Sequence, residues 1–312
     1  MTETDLAFRQ HMLTTTLLIA SLLLTIRHLF ILWHVYHRMT VSVLKASVCW
    51  LFGANIALLC SIAFSLDLGT IANAVHDQLW YWTAVLMCCP LIAVLGAKRP
   101  TSRVWNGFIL LPLVAVLGWP ALADLSRLPD LPPLVIQSPA LIGFVLVLVM
   151  GVGNYAGTRC GLSVTFLGVG VMLIVWSTSN MFSGSHETEQ LVRSIAASCI
   201  SFGMFHGFRQ LQRSTLDESG FDTVWFDFRD LFGIVWSIRI QEQINRTAEK
   251  EHWASRLEAI GFQWKEDYRD EERTQTEQLM NHALHWNLRR FVEPEWISSR
   301  TKMPPPPALS ND

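Results

Sequence analysis

Residues 134–156, LVIQSPALIGFVLVLVMGVGNYA, carry no charged side chain. A stretch this long and this apolar has no stable place on the surface of a water-soluble domain. It matches the roughly 20 residues that a helix needs to cross the ~30 Å hydrocarbon core of a bilayer. Residues 161–182 repeat the pattern, and 12–35, 41–65, 78–97, 104–124 and 190–209 follow it less purely. The sequence therefore predicts an all-α integral membrane bundle of seven transmembrane helices over residues 1–211. A small, mainly helical tail follows it.

Charge divides the chain at the same place. Residues 1–211 hold 11 Lys and Arg with 8 Asp and Glu, and the remaining 101 residues hold 13 and 18. The division predicts a linker over 212–224, a helical region over 225–296 and a Pro-rich, disordered terminus over 297–312. The formal net charge of −2 excludes the basic footprint of a general nucleic-acid binder. All six cysteines fall in the apolar block, where they read as small apolar side chains rather than a disulfide framework.

Turn-forming segments separate the spans, among them Asp67-Leu68-Gly69, Lys98-Arg99-Pro100 and the Pro-rich 128–133. Lys and Arg are distributed unequally over them. Arg9, Arg127 and Arg193 lie on one side. Arg38, Lys45, Lys98, Arg99, Arg103, Arg159, Arg209 and Arg213 lie on the other. The positive-inside rule puts the second side in the cytoplasm, with the N-terminus outside and the tail inside, in a plasma or inner membrane.

No Asp or Glu falls inside a span, which argues against a proton-coupled carrier. Arg27 is the exception among the charges, about eight residues or ~12 Å from the inner edge of its span. Its ordinary role is to snorkel to the headgroups, and its functional alternative is an anion or lipid-headgroup contact. With His28, His34 and His206 it forms a candidate polar cluster at the inner leaflet. His34 and His206 share a depth, so a haem or metal between them is the cofactor option. Gly153-x-x-x-Gly157 and Gly203-x-x-x-Gly207 offer close helix packing or a homo-oligomer contact. Asn55, Asn154, Thr178, Ser179 and Asn180 read as packing contacts or a small polar cavity.

In the tail, Trp225, Phe228, Leu231, Phe232, Val235 and Trp236 lie along one predicted helix over 225–238, the candidate interaction helix. So much apolar surface calls for docking against the bundle or the rest of the tail. Trp253, Leu257 and Ile260 continue a helical spacing to a capping Gly261. Met280, Leu284, Leu288 and Phe291 mark a second amphipathic helix, with His282 and His285 on its polar side. Asp222, Asp227 and Asp230 read as capping or solvated carboxylates. No phosphate-binding glycine loop, HExxH, GxSxG or CxxC motif occurs. The reading is a sensor, adaptor or scaffold whose partners are the bilayer and a protein that reads the tail. The alternatives are a membrane enzyme or redox subunit acting on a lipid, quinone or haem, and a transporter of an uncharged or lipid-like substrate.

Overall fold

The computed structural model describes residues 3–66, 73–100, 102–124, 134, 136–179, 181–212, 220–265 and 269–306. The turns at 67–69 and 128–133, Asn180, Arg213 and most of the linker lie outside them.

The bundle is helical throughout. Its helices are α1 (Glu3–Arg38), α2 (Lys45–Ser65), α3 (Asn73–Leu95), α4 (Ser102–Trp105), α5 (Leu111–Asp124), α6 (Ser138–Gly153), α7 (Gly161–Ser177) and α8 (His186–Gln212). A π-helical turn, Asn106–Leu110, joins α4 to α5 without a break. Among the described residues, five segments are long and apolar enough to cross a membrane: Phe8–Arg38, Ser42–Ser65, Val75–Leu95, Asn106–Ala123 and His186–Gln212. Ser138–Gly153 and Gly161–Ser177 are apolar but shorter. At 1.5 Å per residue these two reach ~24–26 Å. The apolar runs at 134–156 and 161–182 are longer than their helices because their ends are spent otherwise. Ile136 pairs with Ser179 as a parallel backbone bridge, and its N–H donates to Thr178 O at 3.1 Å.

The central helix is α3, in which Trp80, Tyr81, Ala84, Val85, Met87 and Cys88 are fully buried. It packs on α2, α5, α6 and α7, while α8 packs on α1 and α7. Small side chains permit the last of these contacts. A Cβ on Gly203 would stand 2.6 Å from Ser163 O, so only glycine lets α8 lie this close to α7. Gly203 and Gly207 both face Ser163. The other glycine pair does not share a helix face, because Gly157 lies beyond the end of α6 at φ +74°.

Arg193 explains how α8 carries a charge inside an apolar packing. It is buried, and it is paired with Asp77 at 2.8 Å and with Glu189 one turn earlier. It also donates to His76 Nδ1 at 3.3 Å, and His76 Nε2 hydrogen-bonds Ser65 Oγ at 2.7 Å. A buried charge is tolerated when paired and hydrogen-bonded in this way.

The tail holds α9 (Gly220–Phe232), α10 (Ile234–Lys250), α11 (Asp270–Leu288) and α12 (Pro294–Thr301). Between α10 and α11 lies an antiparallel hairpin, β1 (Ser255–Glu258) and β2 (Gly261–Trp264), with Leu257 opposite Phe262. Two sequence expectations change here. The helical spacing of Trp253, Leu257 and Ile260 falls in the hairpin, because His252 takes φ +53° after α10 and ends it. The terminus is helical to Thr301, past residue 297, because Trp296 and Ile297 bury their side chains in the tail core. That core centres on Phe228, Phe232 and Phe291, whose ring centroids lie 4.8–5.4 Å apart. It is continuous with Val41, Leu44, Val94, Ala97, Tyr155 and Cys160 of the bundle.

Candidate functional site

The interaction helix expected over 225–238 is broken at Gly233, which takes φ +79° between α9 and α10. A break leaves the last carbonyls of α9 and the first N–H groups of α10 without partners in their own helices. The α6–α7 turn supplies those partners. Asn154 Nδ2 donates to Phe232 O at 3.2 Å, and Tyr155 OH donates to Leu231 O at 3.3 Å. Asn154 Oδ1 accepts from Val235 N at 3.1 Å, and Asn154 O accepts from Ile234 N at 2.7 Å. The bundle thus caps both tail helices. No alanine could replace Gly233 in place, since a Cβ there would overlap the Asn154 side chain.

One turn further on, Arg159 is ion-paired to the tail. Its backbone N–H donates to Asp230 Oδ1 at 3.0 Å and its Nε to Asp230 Oδ2. Its Nη2 donates to Asp227 Oδ1 at 2.9 Å, and Arg300 Nε donates to the other oxygen of Asp227 at 2.7 Å. Asp222 Oδ1 accepts from Phe262 N at 2.7 Å and so holds the hairpin. None of the three carboxylates is simply solvated, in contrast to the sequence reading. Their partners lie 40 to 73 residues away, which no local pattern reveals.

A second attachment involves the 96–100 turn after α3. Arg99 Nη1 donates to Glu293 Oε2 at 3.1 Å, Nη2 reaches Oε1, and Nη2 also donates to Ser42 Oγ at 2.8 Å. Arg99 N donates to Arg290 O, and Trp236 Nε1 donates to Leu95 O at 3.2 Å. The Arg99 guanidinium holds the Glu293 carboxyl below the usual carboxylate range.

Beneath this seat lies an apolar cavity of about 270 Å³ between α1, α2, α3, α7, α8 and α9. Leu32, Val48, Leu91, Val164 and Phe208 line it, and Asp230 and Leu231 close it from the tail. Ser47 Oγ is buried in its wall without a hydrogen-bond partner. Cys160 also lines it. Burial, with the Asp230 carboxylate nearby, pushes the Cys160 thiol up to about 12.

The four residues of the polar cluster read from the sequence are not gathered around one pocket. Arg27 is exposed and stands 5.1 Å from the Phe205 ring, against which Arg209 also lies at 5.6 Å. His28 is buried beside Phe208 at 5.6 Å, and neither ring nitrogen has a hydrogen-bond partner. His34 is exposed, with Nδ1 bonded to Phe30 O at 2.9 Å. His206 engages Ser163 Oγ through Nδ1 at 2.8 Å and Gln210 through Nε2 at 3.1 Å. Among the described residues no three His, Cys, Asp or Glu side chains form a metal-binding group. In the interaction stripe, Trp225, Phe228 and Phe232 are buried, Leu231 and Trp236 half-buried, and Val235 is exposed. His285, read as polar-side, is buried, with Nδ1 bonded to Asn281 O at 2.9 Å.

No protein-family model matches the chain, and neither the curated proteins nor the solved structures contain a match.

Proposed function

We propose that this chain is a multi-pass membrane sensor or adaptor whose tail is its output element. One observation carries the reading: the α6–α7 turn caps both α9 and α10 and pairs Arg159 with the tail carboxylates. A shift of α6 against α7 would withdraw those caps and release the α9–α10 surface to a protein partner. The topology that fits is seven spans in a plasma or inner membrane, with the N-terminus outside and the tail cytoplasmic. It is supported by the eight-to-three division of Lys and Arg across the turns. The two short helices would cross with their ends completed by the 136–179 bridge and the 154–160 turn, whose backbone groups are paired within the protein.

The test is genetic. Deleting 214–312 should reproduce the phenotype of losing the whole chain, and Arg159→Ala should give a constitutive phenotype different from it. A truncated chain that behaves like the full one removes the output role.

The apolar cavity favours a second reading, in which a lipid-like molecule is the substrate or signal. Purification in mild detergent should then retain lipid at a fixed stoichiometry, and Val48→Trp, which fills the cavity, should lower it. Equal lipid content in both proteins would remove this reading.

A further inference from the structure

A separate pocket of about 440 Å³ opens where the 96–100 turn meets α10 and the end of α11. Four cations line it: Lys98 from the bundle, and Arg239, Arg289 and Arg290 from the tail. Among the described residues that line it there is no carboxylate. Like charges gathered in one concave site repel one another, and the concave shape focuses their field. Such an arrangement is stabilised by a bound anion.

Two of the guanidinium groups also lie against tryptophan rings. Arg239 lies 5.1 Å from the Trp236 ring, and Arg289 lies 3.2 Å from the Trp286 ring. Lys98 Nζ stands 5.4 Å from the same Trp236 ring. Trp236 is itself fixed by its bond to Leu95 O. Stacked guanidiniums lose little freedom when they bind, and their fork geometry fits phosphate oxygens in bidentate fashion. The side chains of Gln243 and Asn287 add amide groups to the lining.

We propose that this pocket binds a phosphate-bearing anion through Lys98, Arg239, Arg289 and Arg290. Its place at the end of α3, beside the half-exposed Trp286, is where an anionic lipid would present its headgroup. A soluble phosphorylated molecule would satisfy the same chemistry from the aqueous side. Because one wall belongs to the bundle and the rest to the tail, the anion would bridge the two. The assignment does not depend on the tail being an output element.

The experiment uses the full chain in nanodiscs of pure phosphatidylcholine and in nanodiscs containing phosphatidylglycerol. Pyrophosphate is titrated into the first, and bound phosphatidylglycerol is measured in the second by native mass spectrometry. Saturable pyrophosphate binding identifies a soluble source, and selective phosphatidylglycerol retention identifies the headgroup. In either arm Arg239→Gln/Arg289→Gln should weaken binding by about tenfold or more. Arg239→Lys/Arg289→Lys should restore part of it, which separates lost charge from lost folding. Arg256→Gln, an exposed cation on β1, should change nothing. Binding in neither arm, or equal losses for the Arg239/Arg289 and Arg256 variants, would overturn the proposal.

Discussion

Arg159 donates both its backbone N–H and its Nε to the carboxylate of Asp230. The Asp230 side chain is almost completely enclosed, at 2% exposure, and Arg159 keeps 24%. Removing one partner of such a pair strands the other charge out of water, at a cost of about 3–5 kcal/mol. Arg159→Ala strands the enclosed Asp230 and should loosen α9 by that order, whereas Asp230→Ala should cost less, because Arg159 keeps its pair with Asp227. The double variant should lose less than the sum, since the stranded charge is gone. Hydrogen exchange over 225–236 in nanodiscs measures this. Additive losses would mean that the two residues act independently.

The Asn154 caps should be nearly as costly to remove. Asn154→Ala deletes two hydrogen bonds and leaves Phe232 O buried without its donor, for about 1–3 kcal/mol, and the part-buried Val235 N without its acceptor, for less. Gly233→Ala adds strain at positive φ to a clash with the same side chain. Both variants should expose the α9–α10 junction to limited proteolysis. The Gly233 variant should be cut faster. Resistance equal to that of the native chain would show that the turn does not hold the tail.

What the sequence revealed, and what it hid, follows from the range of each interaction. Apolar runs such as 161–182 are local and uninterrupted, so their helical character is plain from the residues alone. The burial of Phe228 and Phe232 also follows from spacing. Asp227 and Asp230 read as solvated because their cations, Arg159 and Arg300, are about 70 residues distant. Arg193 counts in the sequence only as a cation of the outer side, because its partner Asp77 lies 116 positions earlier. The break at Gly233 was hidden for a different reason. Phe228, Leu231, Phe232 and Val235 keep helical spacing across it, and only the capping Asn154 makes the break stable. The histidines show the opposite error: His34 and His206 share a depth in the sequence, yet each binds its own neighbours.

Acid should weaken the second attachment before the first is touched by salt. Arg99 lowers the Glu293 pKa relative to the unfolded chain. The stabilisation is therefore complete above the ordinary glutamate range and is lost as the pH falls through the lowered folded value. Both side chains are 36% exposed, so screening keeps the effect small. Exchange protection over 290–301 should fall at acidic pH in the native chain and be less pH-dependent in Glu293→Gln. High salt at neutral pH should mimic part of the loss. Identical pH profiles for the two chains would place the sensitivity elsewhere.

Cys160 reports on the whole seat. Its thiol is buried beneath α9, and burial beside Asp230 raises it to about 12, so almost no thiolate exists at neutral pH. With the tail docked, N-ethylmaleimide should label Cys160 slowly. Arg159→Ala or Gly233→Ala opens the seat to water, which lets the thiol ionise near its ordinary range. Labelling should then rise by at least about tenfold, as one pKa unit of recovery changes the thiolate fraction tenfold. Residue-resolved mass spectrometry separates Cys160 from the other five cysteines. If Cys160 reacts as slowly in both variants as in the native chain, neither residue holds the tail over it. If it reacts rapidly in the native chain, the docked arrangement is not the resting state in the membrane.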